Sequence, residues 1–171
     1  MDRRLILMRH ADATDEGYIS DIDRPLSQRG VDQSTLVGKF FKDLVIDKIL
    51  VSPAKRTMQT LSILLDVMSE GVSISVDREL YNQSESIADI VSNQDYSINN
   101  LMVIGHNPGI MATSAKLSNV SSKYYDDLLK SLMPPATMVI IDFERLESWE
   151  DIHRAKGNIT KLFIPKIADV A

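Results

Sequence analysis

The sequence predicts an α/β fold, a three-layer α/β/α sandwich on a mostly parallel sheet, and three observations carry that reading. Short apolar runs at Leu5-Ile6-Leu7-Met8, Ile49-Leu50-Val51 and Leu101-Met102-Val103-Ile104 have the length of strands covered on both faces. Stretches with apolar residues at helical spacing lie between them, as crossovers between parallel strands require. From residue 137 onward the pattern changes to strand-like runs with short connections, which implies antiparallel pairing at one side of the sheet. The 171 residues suffice for one domain with a sizeable core and are too few for two, so 1–171 is expected to be a single domain.

The first apolar run ends in Arg9 and His10, where ligands of parallel sheets gather, beyond the strands' carboxyl ends. Taken alone, that pair reads equally well as a surface charge and a loop histidine. Residues 11–25 are polar and read as a surface loop, after which Ser27 is a candidate N-cap for a helix carrying Val37, Phe40, Phe41 and Leu44, with Gly30 weakening its first turn. The second run is broken by Ser52-Pro53. The helix beyond it carries Met58, Leu61, Leu65 and Met68 as its apolar stripe and Arg56 in its first turn. Residues 72–76 alternate apolar residues with serines, as on an edge strand, and Ser84 opens a short helix with Ile87, Ile90 and Val91 inward.

The third run leads into Gly105-His106-Asn107-Pro108-Gly109, and the helix starting near Pro108 would aim its first-turn amides back at His106 as an anion site. A further helix over 121–132 would bury Tyr125, Leu128 and Leu132 before Pro134-Pro135 stops it. Residues 137–143, 149–153 and 159–164 read as strands, with Trp149 a packing residue and His153 on the surface.

Composition bounds the chemistry. A net charge of −5 with no long basic run leaves no footprint for nucleic acid or an anionic membrane. Without cysteine there are no disulfides, thiolate metal sites or cysteine nucleophiles. The apolar run after Arg3-Arg4 stops after four residues, too short for a signal-peptide core, and no stretch approaches a membrane span, so a cytoplasmic protein is expected.

Parallel strands with right-handed crossovers place their carboxyl ends on one edge, which brings Arg9, His10, Arg56 and His106 together. Two guanidiniums and two imidazoles suit a doubly charged oxyanion, phosphate above all. An imidazole kept neutral by neighbouring cations can attack phosphorus, and phosphoryl transfer then needs mostly positioning and charge cancellation, with no metal or other cofactor.

The assembled residues resemble the histidine phosphatase superfamily, and within it the small SixA-type phosphohistidine phosphatases. Four blocks carry the resemblance, in the family's order: Leu7-Met8-Arg9-His10-Ala11-Asp12-Ala13, Arg24-Pro25-Leu26-Ser27-Gln28-Arg29-Gly30, Val51-Ser52-Pro53-Ala54-Lys55-Arg56-Thr57-Met58-Gln59-Thr60 and Val103-Ile104-Gly105-His106-Asn107-Pro108-Gly109. The resemblance implies a phosphoglycerate mutase-like fold, His10 as the phosphorylated nucleophile, and Arg9, Arg56 and His106 as binders of the phosphoryl group, with Asn107 shaping the pocket. It also implies an acid for the leaving group, for which Glu79 and Asp12 are the candidates, Asp12 reading equally as a partner that orients a site arginine.

Family relatives acting on small phosphate esters carry lid insertions, and between Arg56 and Gly105 this chain has room for little beyond two helices and a strand. The expected pocket is open and suits a phosphohistidine on a protein partner, a carrier or signalling domain. Other readings stay open: a phosphomonoesterase of broad or small-metabolite specificity, which would need a working acid; a phosphate-binding module without turnover; and a metal hydrolase using His10, Asp12 and His106. Oligomeric state is not legible.

Overall fold

The computed structural model describes residues 2–68 and 71–167. Six strands form one sheet: β1 Arg3–Arg9, β2 Lys48–Val51, β3 Ser73–Val76, β4 Asn100–Gly105, β5 Met138–Phe143 and β6 Asn158–Phe163, in the order β3-β2-β4-β1-β5-β6. β1 to β4 pair in parallel, while β5 and β6 run antiparallel at one side, as the change of pattern at residue 137 requires. The helices are α1 Gln28–Phe41, α2 Lys55–Leu65, α3 Glu79–Asn82, α4 Ile87–Ser92, α5 Gly109–Leu117 and α6 Tyr125–Ser131.

Alternation along β1 sorts the helices into two layers, because successive side chains point to opposite faces. Leu5 and Leu7 pack with Val91, Ile110, Leu128 and Trp149, whereas Ile6 and Met8 pack with Val37, Phe41, Leu61 and Leu64. The fold is therefore the mixed α/β sandwich that the sequence predicts, with α1 and α2 on one face and α4 to α6 on the other.

Several local expectations need correction. Residues 149–154 form a 3-10 helix, not a strand, because Trp149 is fully buried and donates its indole N–H to the Ile98 carbonyl at 2.8 Å. The short helix begins after Ser86 rather than Ser84, and Ser86 with Asp89 closes a reciprocal capping box. On α2 the buried stripe is Thr57, Thr60, Leu61 and Leu64, so Met58 points outward. Helix α6 ends at Ser131, and Leu132 adopts a left-handed conformation with 69% of its surface exposed.

Ser27 does cap α1, accepting from the Gly30 amide at 3.0 Å. Gly30 is required there rather than merely tolerated: a Cβ at this position would lie 2.0 Å from the Asp12 carbonyl oxygen. The loop after β1 thus lies directly on the first turn of α1.

Candidate active site

The parallel register sets three chain exits at one level. Met8 and Val51 both align with Ile104, so His10, Ser52 and His106 leave neighbouring strands side by side. Backbone bonds fix those exits: His10 N–H donates to the Gly105 carbonyl at 3.0 Å and Ser52 N–H to the Ile104 carbonyl at 3.1 Å. Arg56 enters from the first turn of α2, directly after Ser52-Pro53.

Arg9, His10, Arg56 and His106 accordingly line one cleft of about 440 Å³, together with Asp21, Tyr81, Asn82, Gln83 and Asn107. The His10 and His106 ring centroids are 5.1 Å apart. Arg56 lies between them, its Nε donating to His10 Nε2 and its Nη2 to His106 Nδ1, each at 3.3 Å. A guanidinium only donates, so both of those ring nitrogens are unprotonated.

The remaining ring nitrogens complete the tautomers. His10 Nδ1–H donates to the Ala11 carbonyl at 2.7 Å, and His106 Nε2–H donates to Ser52 Oγ at 2.7 Å. Burial lowers the pKa of both rings, and cationic neighbours add to it, bringing His10 to about 4 and His106 to about 3. At neutral pH the cleft holds two uncharged imidazoles beneath two guanidiniums.

Arg9 is lowered by desolvation as well; its Nη1 donates to the Met133 carbonyl at 3.0 Å, and its buried Nε has no protein partner. An anion in the cleft is a natural acceptor for such a group. Asn107 lines the cleft but is engaged at both ends of its amide: Nδ2 donates to the Leu132 and Met133 carbonyls at 3.1 Å, and Oδ1 accepts from the Met111 amide at 3.3 Å. At the start of α5, where the sequence predicts an anion site, the Ile110 amide donates to the His106 carbonyl and the Met111 amide to Asn107 Oδ1, so these two first-turn amides are taken within the protein.

Neither candidate acid lines this cleft. Asp12 Oδ2 accepts from Ser27 Oγ at 2.5 Å, and the Asp12 amide donates to Gln33 Oε1 at 2.9 Å, so this residue ties the loop after β1 to α1. Glu79 accepts from Ser84 Oγ and lines an adjoining cleft of about 240 Å³ that shares Gln83 and His106 with the site.

The carboxylate that does face the site is Asp21, which sequence reasoning left in a polar loop. Its main-chain oxygen accepts from Arg56 Nη1 at 2.6 Å, and its Oδ2 accepts from Arg56 Nη2 at 3.1 Å and from Tyr81 Oη at 2.9 Å. Ser52 is the other omission: its place at a strand end was visible, but its bond to His106 depends on register.

A cleft of about 460 Å³ at the opposite end of the sheet contains Arg3, Arg4 and Asp142, but Arg4 is spent on Asp142 at 2.7 and 2.9 Å. Among the described residues, no group of three or more His, Asp or Glu side chains is placed to hold a metal ion, and no helix is long and apolar enough to cross a membrane. His153 lies on the surface beside Asp89, with Nε2 3.1 Å from Oδ1.

The model of the histidine phosphatase superfamily, branch 1, matches residues 5–86. An uncharacterized protein of Mycobacterium tuberculosis is 28% identical over 119 residues, 67% of this chain and 72% of its own length. A structure assigned as the phosphohistidine phosphatase SixA of Nakamurella multipartitia superposes with a TM-score of 0.79 at 27% identity, covering 96% of this chain and 97% of that one. The protein histidine phosphatase SixA complexed with tungstate shares the fold, with a TM-score of 0.66 at 22% identity over 93% of this chain and 95% of that one.

Proposed function

We propose that the chain is a phosphatase of the histidine phosphatase superfamily, whose branch 1 model matches residues 5–86, and that it removes phosphate from a phosphohistidine on a protein partner through a covalent phosphohistidine at His10. The observation that carries this reading is the tautomer of His10. Its Nδ1–H is held by the Ala11 carbonyl, so the lone pair of Nε2 faces the cleft.

In the first step Nε2 attacks phosphorus while the bond to the leaving nitrogen breaks, and the His10 ring becomes a phosphoimidazolium that keeps its proton on Nδ1. Arg9, Arg56 and His106 bind the phosphoryl oxygens. Arg56 exchanges its weak 3.3 Å bonds to the rings for charged ones, and the unpartnered Nε of Arg9 gains an acceptor. In the second step water attacks phosphorus, both its protons remain on the released dihydrogen phosphate, and His10 returns to its neutral form.

Asn107 shapes the pocket by holding residues 132–133 beside Arg9. The reaction requires no cofactor. Asp12 is tied to Ser27, and Glu79 accepts from Ser84 in the adjoining cleft that His106 also lines; a phosphohistidine that leaves with its own ring proton calls on neither as an acid. In this reading residues 1–171 act as one domain with no large insertion above the cleft.

The test is rapid quench of the protein with a phosphorylated histidine-containing carrier and, in parallel, with an aryl phosphate, on wild type and His10→Ala. Acid-labile label on wild type alone, with faster release from the carrier, is the expected result. Release from the aryl phosphate only would replace the reading with a phosphomonoesterase, and binding without release would replace it with a phosphate-binding module.

A further inference from the structure

We propose that the Asp21 carboxylate accepts the free ring N–H of the substrate's phosphohistidine, so that this cleft selects a nitrogen leaving group over an oxygen one. The inference rests on the phosphohistidine reading above. It starts from a carboxylate that lies beside a site for an anion, where like charge would be a liability unless the rest of the substrate carried a positive charge.

Asp21 is the carboxylate that lines the cleft with Arg9, His10, Arg56 and His106. Three side chains hold it: Tyr81 Oη at 2.9 Å and Arg56 Nη2 at 3.1 Å on Oδ2, and Arg24 Nη1 at 3.1 Å on Oδ1. Its side chain is nevertheless 54% exposed, against 8% for Arg56, so it stands at the mouth of the cleft, where the leaving group and its protein must lie. Desolvation alone would raise its pKa; hydrogen bonds from Tyr81, Arg24 and Arg56 outweigh that and bring it down to about 2. An ionised carboxylate has no proton to donate and acts as an acceptor.

The chemistry of a P–N bond asks for such an acceptor. Phosphohistidine protonated on its other ring nitrogen has a cationic ring beside its anionic phosphoryl group, and when His10 Nε2 forms its bond to phosphorus the P–N electron pair returns to the ring, which departs as neutral imidazole with that proton still in place. Unprotonated, the same ring would have to leave as an imidazolate. Asp21 favours the protonated form in the cleft, as the Ala11 carbonyl does for the His10 ring that becomes phosphorylated. An ester leaving group instead builds negative charge on oxygen, which Asp21 opposes.

The test compares kcat/KM for a phosphorylated histidine carrier and for p-nitrophenyl phosphate, whose leaving group needs no proton, in wild type, Asp21→Asn and Tyr81→Phe. Asp21→Asn keeps the size of the side chain and removes its charge. The expected result is a ratio of kcat/KM for the carrier over the aryl phosphate that falls by about tenfold or more in Asp21→Asn, and by a smaller factor in Tyr81→Phe. Equal losses on both substrates would overturn the inference by showing that Asp21 only positions Arg56, and no loss on the carrier would overturn it as well. If Asp21→Asn does not fold, Tyr81→Phe decides by the same ratio. Carrier-derived label on His10 in wild type separates this outcome from failure of the phosphohistidine reading, which would show as no such label in any variant.

Discussion

Arg56 is the residue on which the two imidazoles depend. One guanidinium donates to His10, to His106 and to both oxygen types of Asp21, a set of directions that the single ammonium of lysine cannot reproduce. Arg56→Lys should therefore keep the fold and lower kcat/KM by about a hundredfold or more, measured alongside an unchanged circular dichroism spectrum. Ser52 acts more gently, since it touches only the far side of His106. Ser52→Ala should cost about tenfold in kcat/KM and leave the His106 Nε2–H without its acceptor, which nitrogen chemical shifts of the ring would report. The acid limb of activity follows from His10: with its pKa pushed down to about 4 by burial and by Arg56, Arg9 and Arg24, kcat/KM should hold down to about pH 4 rather than fall near 6.5. An acid limb near 6.5 in a pH–rate profile would show that the free enzyme's nucleophile is not buried as described.

At the scale of elements, the contact between the loop after β1 and helix α1 governs how well His10 is held. The Ala11 amide donates to Thr60 Oγ1 at 3.1 Å, the Asp12 amide to Gln33 and the Leu26 amide to Gln59 Oε1 at 2.8 Å, so α1 and α2 both grip this loop. Gly30 allows the approach. Gly30→Ala would place a methyl group 2.0 Å from the Asp12 carbonyl, and backbone cannot yield as a flexible side chain can. The expected cost is about 2 kcal/mol in urea unfolding, with a lower kcat as His10 loosens. This is also where sequence reasoning met its limit. Arg9, His10, Arg56 and His106 were legible because each follows an apolar run directly or opens the next helix, and topology then gathers such positions on one edge. Asp21 was not, because a polar loop carries no periodicity and its fold-back onto Arg56 is fixed by a bond from Tyr81, far away in the chain, as well as by its neighbour Arg24. The 3-10 helix at Trp149–Arg154 was misread for a related reason: its apolar residues Trp149 and Ile152 answer to the sheet below them, not to a repeat in the sequence.

For the whole molecule, the consequence of building the site on two buried neutral imidazoles is a stability that depends on pH well above the range of carboxylates. In the unfolded chain each ring takes up a proton near pH 6.5, while in the fold His10 resists until about 4 and His106 until about 3. Between those limits the unfolded state binds more protons, so stability is full above about pH 6.5 and falls as the pH is lowered through that window. Asp21 contributes in a separate range, since its pKa falls from 3.8 to about 2 on folding and its stabilisation is lost only below about pH 4. Urea midpoints measured at pH 7.5 and pH 5 should therefore differ, with the lower midpoint at pH 5. His106→Gln should flatten that difference, because glutamine has no proton to take up in the unfolded chain, and should do so whatever it costs in stability at pH 7.5. Bound phosphate should act in the opposite sense by stabilising the fold at both pH values, as any ligand of the native state does. A midpoint that stayed level between pH 7.5 and 5 in the wild type would mean that the two rings are solvated in the fold, and with it the account of why they stay neutral beside two arginines would fail.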